Sequence, residues 1–178
     1  MTDTLTLDAY GVVVEPATLK IQRLLPGPIE RVWSYLTESE LRRQWLASGQ
    51  MTAGVDTAFE LTWRNDELTD PPGQRPEGFE TDHSLEGRIT AFEPPRKLAI
   101  TWGATGGVTF ELEPRGSEVL LTLTHHRVTD PAVLLNVSAG WHAHLDVLAA
   151  KMAGKTTAKP FWDHWLGLKG DYEKRLAN

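Results

Sequence analysis

One helix limits the fold more than any other feature of the chain. Residues 131–152 read PAVLLNVSAGWHAHLDVLAAKM and follow Asp130, so a hydrogen-bonding N-cap precedes a proline suited to the first helical turn. At 100° per residue, Leu134, Val137, Leu145, Leu148 and Met152 all fall within about 40° of Trp141, a stripe sustained over roughly five turns. A stripe of that length needs an equally long apolar surface opposite it, and the rest of the chain must supply one.

The preceding residues supply it in strands. Leu19, Ile21 and Arg23 alternate with Lys20 and Gln22 before the chain breaks at Pro26-Gly27-Pro28, the period-2 signature of a half-buried strand. Ile29, Val32, Trp33 and Leu36 then recur at helical spacing, and Thr37 with Glu40 reads as a capping box for a second short helix carrying Leu41 and Trp45. Alternation returns at Phe59, Leu61 and Trp63; at Leu85, Ile89 and Ala91; at Leu98, Ile100 and Trp102; at Val108, Phe110 and Leu112; and at Val119, Leu121, Leu123 and His125. The glycines of GATGG read as a hairpin turn between two of these strands. One apolar and one wet face per strand imply an antiparallel meander. The expected fold is therefore α+β: a curved sheet of about six strands wrapped on the long helix, with two short helices after the first strand. A further helical tail spans 154–178, where Phe161, Trp162, Trp165 and Leu168 are helically spaced, and it should dock on the body.

With 178 residues, the chain suits a single domain over 1–178, with residues 1–9 as a flexible N-terminus. Residues 65–83, NDELTDPPGQRPEGFETDH, hold six acids against one arginine. They are expected to form a long acidic mobile loop, either a solvated insertion or a flap over a pocket mouth. The net charge is −6 and the basic residues are scattered, which argues against nucleic acid as a partner. No apolar run reaches the roughly 18 residues needed to span a bilayer, and the N-terminus has no secretory pattern. There is no cysteine, so disulfides and thiolate chemistry are excluded. A cytoplasmic protein without membrane insertion, monomer or homodimer, is the expectation.

Four stretches, RLLPGPIERVWSYLTESELRRQWL, EGRITAFEPPRKLAITW, FELEPRGSEVLLTLTH and GWHAHLDVLAAKM, occur in the order found in the activator of heat-shock protein 90 ATPase homologue family. That family lies within the START-like (SRPBCC) helix-grip superfamily, and the resemblance covers roughly residues 18–153. It implies the helix-grip fold. For function it implies a cavity between sheet and helix, since other superfamily members bind lipids, hormones or polyketides there and some are cyclases or hydratases. The eukaryotic activator also carries a separate chaperone-binding domain, which a chain of this length is not expected to supply.

The candidate pocket residues follow from parity. Trp63, Trp102, Phe110, Trp141 and Leu145 should point between sheet and helix, with His125, His144 and Arg23 as polar points. Arg23 shares the inward parity of Leu19 and Ile21, while Glu60, Glu86, Glu111 and Glu113 all have outward parity. A buried guanidinium needs a partner: an acid on a loop or helix, a bulge that turns it outward, or an anionic ligand head group. His142 and His144 lie i and i+2 on the helix and diverge by about 200°, so they cannot hold one ion together. His142 is expected outward and His144 at the edge of the stripe.

Neither a metal nor an organic cofactor is implied, and no catalytic set is read, since the strong catalytic motifs are missing. The leading expectation is a binder of a small lipophilic molecule. A chaperone-linked interaction module is one alternative. The other is a cyclase- or hydratase-like enzyme using His125 or His144 as proton carrier.

Overall fold

The computed structural model describes residues 9–15, 17–103 and 106–176. The expected flexible N-terminus lies outside these apart from residue 9, as do the centre of the GATGG turn and the last two residues of the tail. In chain order the elements are β1 (Val12–Glu15), β2 (Thr18–Pro26), α1 (Ile29–Thr37), α2 (Ser39–Arg42), β3 (Ala58–Trp63), β4 (His83–Glu93), β5 (Lys97–Thr101), β6 (Gly107–Arg115), β7 (Glu118–His126), α3 (Pro131–Met152) and α4 (Phe161–Leu176), with a 3₁₀ turn at Asn65–Glu67. One curved antiparallel sheet runs β1-β2-β7-β6-β5-β4-β3, so β2 closes against the last strand of the meander, and α3 lies across the sheet. This is the helix-grip arrangement. No helix among the described residues is long and apolar enough to cross a membrane.

Register turns the alternation into rows across the sheet. Leu19 pairs with His125, His125 with Val108, Val108 with Ile100 and Ile100 with Ile89. The next inward row is Ile21, Leu123, Phe110, Leu98 and Phe92. Phe92 stands where parity from Leu85 would place Ala91, because a bulge between Ile89 and Ala91 shifts the strand by one residue; a one-residue shift reverses every later side chain. Phe92 then meets Trp33 of α1 edge to face at 5.5 Å. On β4, a Cβ on Gly87 would sit 2.7 Å from the Phe59 ring, so glycine at that position lets Phe59 lie across the neighbouring strand.

The sheet has seven strands, in keeping with the expectation of about six. The addition is β1, a short edge strand paired with β2 through Val12–Lys20 and Val13–Leu19, whose run of Val12, Val13 and Val14 has no alternation to read. The two short helices are present, but the capping box is not: Glu38 occupies the N-cap of α2 without a side-chain hydrogen bond, and Thr37 bonds back to the Trp33 carbonyl. The join is held instead by Arg42, 2% exposed. Its guanidinium donates to the Leu36 and Thr37 carbonyls at the end of α1 and to those of Ala47 and Gly49 beyond α2. Orphan helix-end carbonyls are thereby satisfied from a distance.

Asp130 caps α3 as expected, its Oδ1 accepting from the Ala132 N–H at 2.8 Å. The helix is buried on two faces. One carries Trp141, Leu145 and Leu148 into the core shared with the sheet. The other carries His142 beneath α4, whose Phe161, Trp162, Trp165, Leu168 and Tyr172 are buried in turn.

Candidate functional site

A pocket of about 570 Å³ opens among β3, β4, α3, α4 and the 65–83 segment, within the roughly 300–1,000 Å³ usual for small-molecule sites. The sheet contributes Trp63, His83, Leu85 and, just past β5, Trp102; α3 contributes Asn136, Val137, Gly140, Trp141 and His144; α4 contributes Phe161, Trp162 and Trp165. Its rings form two runs, one from the sheet onto α3 and one from α3 onto α4. Trp63 meets Trp102 at 5.4 Å, Trp102 meets Trp141 at 5.2 Å, and Phe161 meets His144 at 5.0 Å and Trp162 at 5.1 Å.

The remaining wall comes from the acidic segment, which is docked on α4 while residues 77–83 stay exposed. Phe79 packs against Trp162 at 5.4 Å and Trp165 at 5.1 Å. Asp66 accepts the Trp162 indole N–H at 2.7 Å and pairs with Arg75. The hydroxyl of Thr69 and the carbonyl of Pro72 accept the backbone N–H groups of Phe161 and Trp162. The segment thus stitches β3 to the start of α4 and places Gly78, Phe79 and Glu80 on the pocket.

Of the residues marked from sequence, Trp63, Trp102, Trp141 and His144 meet at this pocket. Phe110, His125 and Leu145 stand behind it. Phe110 packs on Trp141 at 5.9 Å, Leu145 is fully buried in the core, and His125 accepts the Trp141 indole N–H at Nδ1, 3.0 Å away. Arg23 lies elsewhere, on the other flank of α3, where it pairs with Asp146 at 3.0 Å and donates to the carbonyls of Ala9 and Gln22. A helix acid is therefore its partner. Phe161, Trp162, Trp165, Phe79, His83 and Asn65 were not marked as pocket residues. The helical spacing in the tail was a usable signal for the first three; nothing local to residues 65–83 signals the others.

Both inward histidines are held neutral. Burial pushes His125 down to about 4, helped by the neighbouring His126. Burial likewise pushes His144 down to about 4, against a hydrogen bond to the Trp45 carbonyl that favours the charged form. That bond, 2.8 Å from Nδ1, assigns the proton to Nδ1 and leaves Nε2 as the acceptor of a neutral ring. Among the described residues no carboxylate hydrogen-bonds to either ring, so the pocket offers aromatic faces and hydrogen-bonding points. Another such point is Asn65, whose Oδ1 is buried without a hydrogen-bond partner and which lines the pocket.

The expectation that His142 faces outward is corrected. The side chain is 4% exposed, because α4 covers that face of α3, and its Nδ1 lies 3.0 Å from the Tyr172 hydroxyl. His142, Asp146 and His164 bring three possible metal-ligand atoms within 4.8 Å of one another. Burial alone would raise the Asp146 carboxyl, but hydrogen bonds from His142 and His164 and the charge of Arg23 hold it well below the usual carboxylate range.

Comparison with known proteins agrees with this architecture. The solution structure of a Bordetella parapertussis protein is 38% identical, with 98% of this chain and 95% of that one covered at a TM-score of 0.79. CalU16 from Micromonospora echinospora is 20% identical over 90% of this chain and 88% of its own, with a TM-score of 0.63. DynU16, described as a putative protein in the dynemicin biosynthetic locus, is 16% identical, and the match covers 82% of this chain and 49% of that one at a TM-score of 0.63. No curated protein matches significantly. The family model for activator of Hsp90 ATPase homolog 1-like proteins matches residues 26–153, from the end of β2 to the end of α3, and the chain belongs to that family.

Proposed function

We propose that the protein binds a small, largely apolar molecule with a flat ring system in the pocket between the sheet, α3 and α4. The observation that carries this reading is the ring lining: Trp63, Trp102, Trp141, Phe161, Trp162 and Trp165, with Phe79 on the loop side. Aromatic walls favour offset-stacked or edge-to-face ring partners. A hydrogen-bond donor on the ligand suits the buried Oδ1 of Asn65 or Nε2 of His144, since an unsatisfied buried acceptor costs about 1–3 kcal/mol.

Gly140 gives the test. A Cβ there would meet only the Trp165 indole nitrogen, at 3.9 Å, so Gly140→Leu extends a side chain into the pocket while improving helix propensity. Titration with the neutral fluorophore phenylnaphthylamine is expected to saturate in the micromolar range with wild type, and at least tenfold more weakly with Gly140→Leu at unchanged circular dichroism. A flat wild-type titration, or equal affinity in the variant, contradicts the proposal.

Membership of the Hsp90-activator family favours a second reading, binding to that chaperone. It predicts stimulation of a purified Hsp90 ATPase by the intact chain, and an unchanged rate at excess protein removes it.

A further inference from the structure

On the face of α3 opposite the pocket, residues 142 and 146 stand one helical turn apart beneath α4. His142 Nε2 lies 3.3 Å from Asp146 Oδ2, and His164 Nε2, from α4, lies 2.7 Å from the same oxygen. We propose that His142, Asp146 and His164 form a binding site for a divalent first-row transition metal, of which zinc is the type, that ties α4 to α3.

The donor set and its spacing both fit. Two imidazoles and one carboxylate suit zinc and its neighbours. Bonds of about 2.0–2.2 Å place adjacent ligand atoms about 3 Å apart; the two nitrogen-to-oxygen separations, 3.3 and 2.7 Å, come within tenths of an ångström of that, and all three ligand atoms lie within 4.8 Å of one another.

The surroundings orient each ligand. Arg23 bonds Asp146 at Oδ1, leaving Oδ2 for the ion. Tyr172 faces His142 at Nδ1, and its hydroxyl also accepts the Gly11 N–H at 2.6 Å. A hydroxyl can donate or accept, so it supports His142 with the ring proton at either nitrogen, including the Nδ1 form that frees Nε2 for a metal. Such outer partners fix the tautomer and orientation of ligating histidines. His142 is nearly closed off, with 6% side-chain exposure, whereas Asp146 and His164 retain 30% and 27%. The site is thus open on its outer side, where solvent completes the coordination. Because α4 carries Phe161, Trp162 and Trp165 to the pocket, an ion here holds one pocket wall in place.

The test uses tag-free, chelator-treated full-length protein at neutral pH. Calorimetric titration with Zn²⁺ is expected to show one equivalent bound at micromolar or tighter affinity, and Co²⁺ is expected to give a visible absorption band that Zn²⁺ displaces. His164→Gln and Asp146→Asn each weaken binding at least tenfold, while His126→Gln, on an exposed strand end, leaves it unchanged. Zn²⁺ raises the melting temperature of wild type and not of His164→Gln. His164 is only half-buried, so its variant keeps the test informative if Asp146→Asn unfolds. Absence of saturable binding up to about 1 mM Zn²⁺ overturns the proposal, as does binding that His164→Gln weakens less than tenfold.

Discussion

Trp141 and His125 depend on each other: the indole has one donor, and the imidazole nitrogen that receives it must be unprotonated. A buried ring flanked by Leu19 and Val108 has no solvent to stabilise its charge, which is why His125 titrates near 4 rather than 6.5. Between those values the unfolded chain binds a proton that the folded chain refuses, so stability falls as pH drops from 6.5 toward 4 and is fully present above 6.5. His125 alone should cost about 2–3 kcal/mol by pH 4.5. Urea unfolding at pH 7 and pH 4.5 is expected to show that His125→Gln, which keeps an acceptor for the indole, loses less stability than wild type by about that amount. Equal losses would mean that His125 is charged in the folded protein. The inward parity of His125 and Arg23 was legible from alternation alone. The burial of Arg42 was not, because its acceptors are carbonyls of the turn it organises and carry no sequence signal.

At the scale of elements, strands were legible wherever one face is apolar and the other polar, since burial on one side imposes period 2. β1 lacks that contrast, and the β4 bulge breaks parity inside a strand whose sequence remains regular. The stripe of α3 predicted the face that meets the sheet but left its second buried face unseen. That face became visible only with α4 in place, and with it the inward position of His142. Trp141 sits at the centre of the first face, 3% exposed, against Trp102, Phe110 and His125. Trp141→Ala should cost about 3–5 kcal/mol through the cavity it leaves, more than a surface aromatic would. Chemical denaturation measures this directly, and a loss below about 1 kcal/mol would contradict the central place given to α3.

For the whole molecule, the pocket is a product of distant segments. Trp63 and Trp102 come from the sheet, Trp141 and His144 from α3, Phe161, Trp162 and Trp165 from the tail, and Phe79 from the acidic segment. The first two groups were readable because strand and helix periods fix which way those residues face. The tail's helical spacing showed that it docks but not what it meets, and the acidic segment was not readable, because Asp66, Thr69 and Phe79 find their partners on α4, roughly ninety residues further along. The acidic segment contributes a pocket wall through these contacts, although its composition alone reads as a solvated loop. That division of labour makes ligand occupancy the sharpest test of the account. Native mass spectrometry of freshly purified protein, set against the denatured mass, is predicted to reveal a retained small molecule, or a one-to-one adduct after incubation with phenylnaphthylamine, that Gly140→Leu loses. A bare native mass under both conditions, or an adduct that survives in Gly140→Leu, would contradict it.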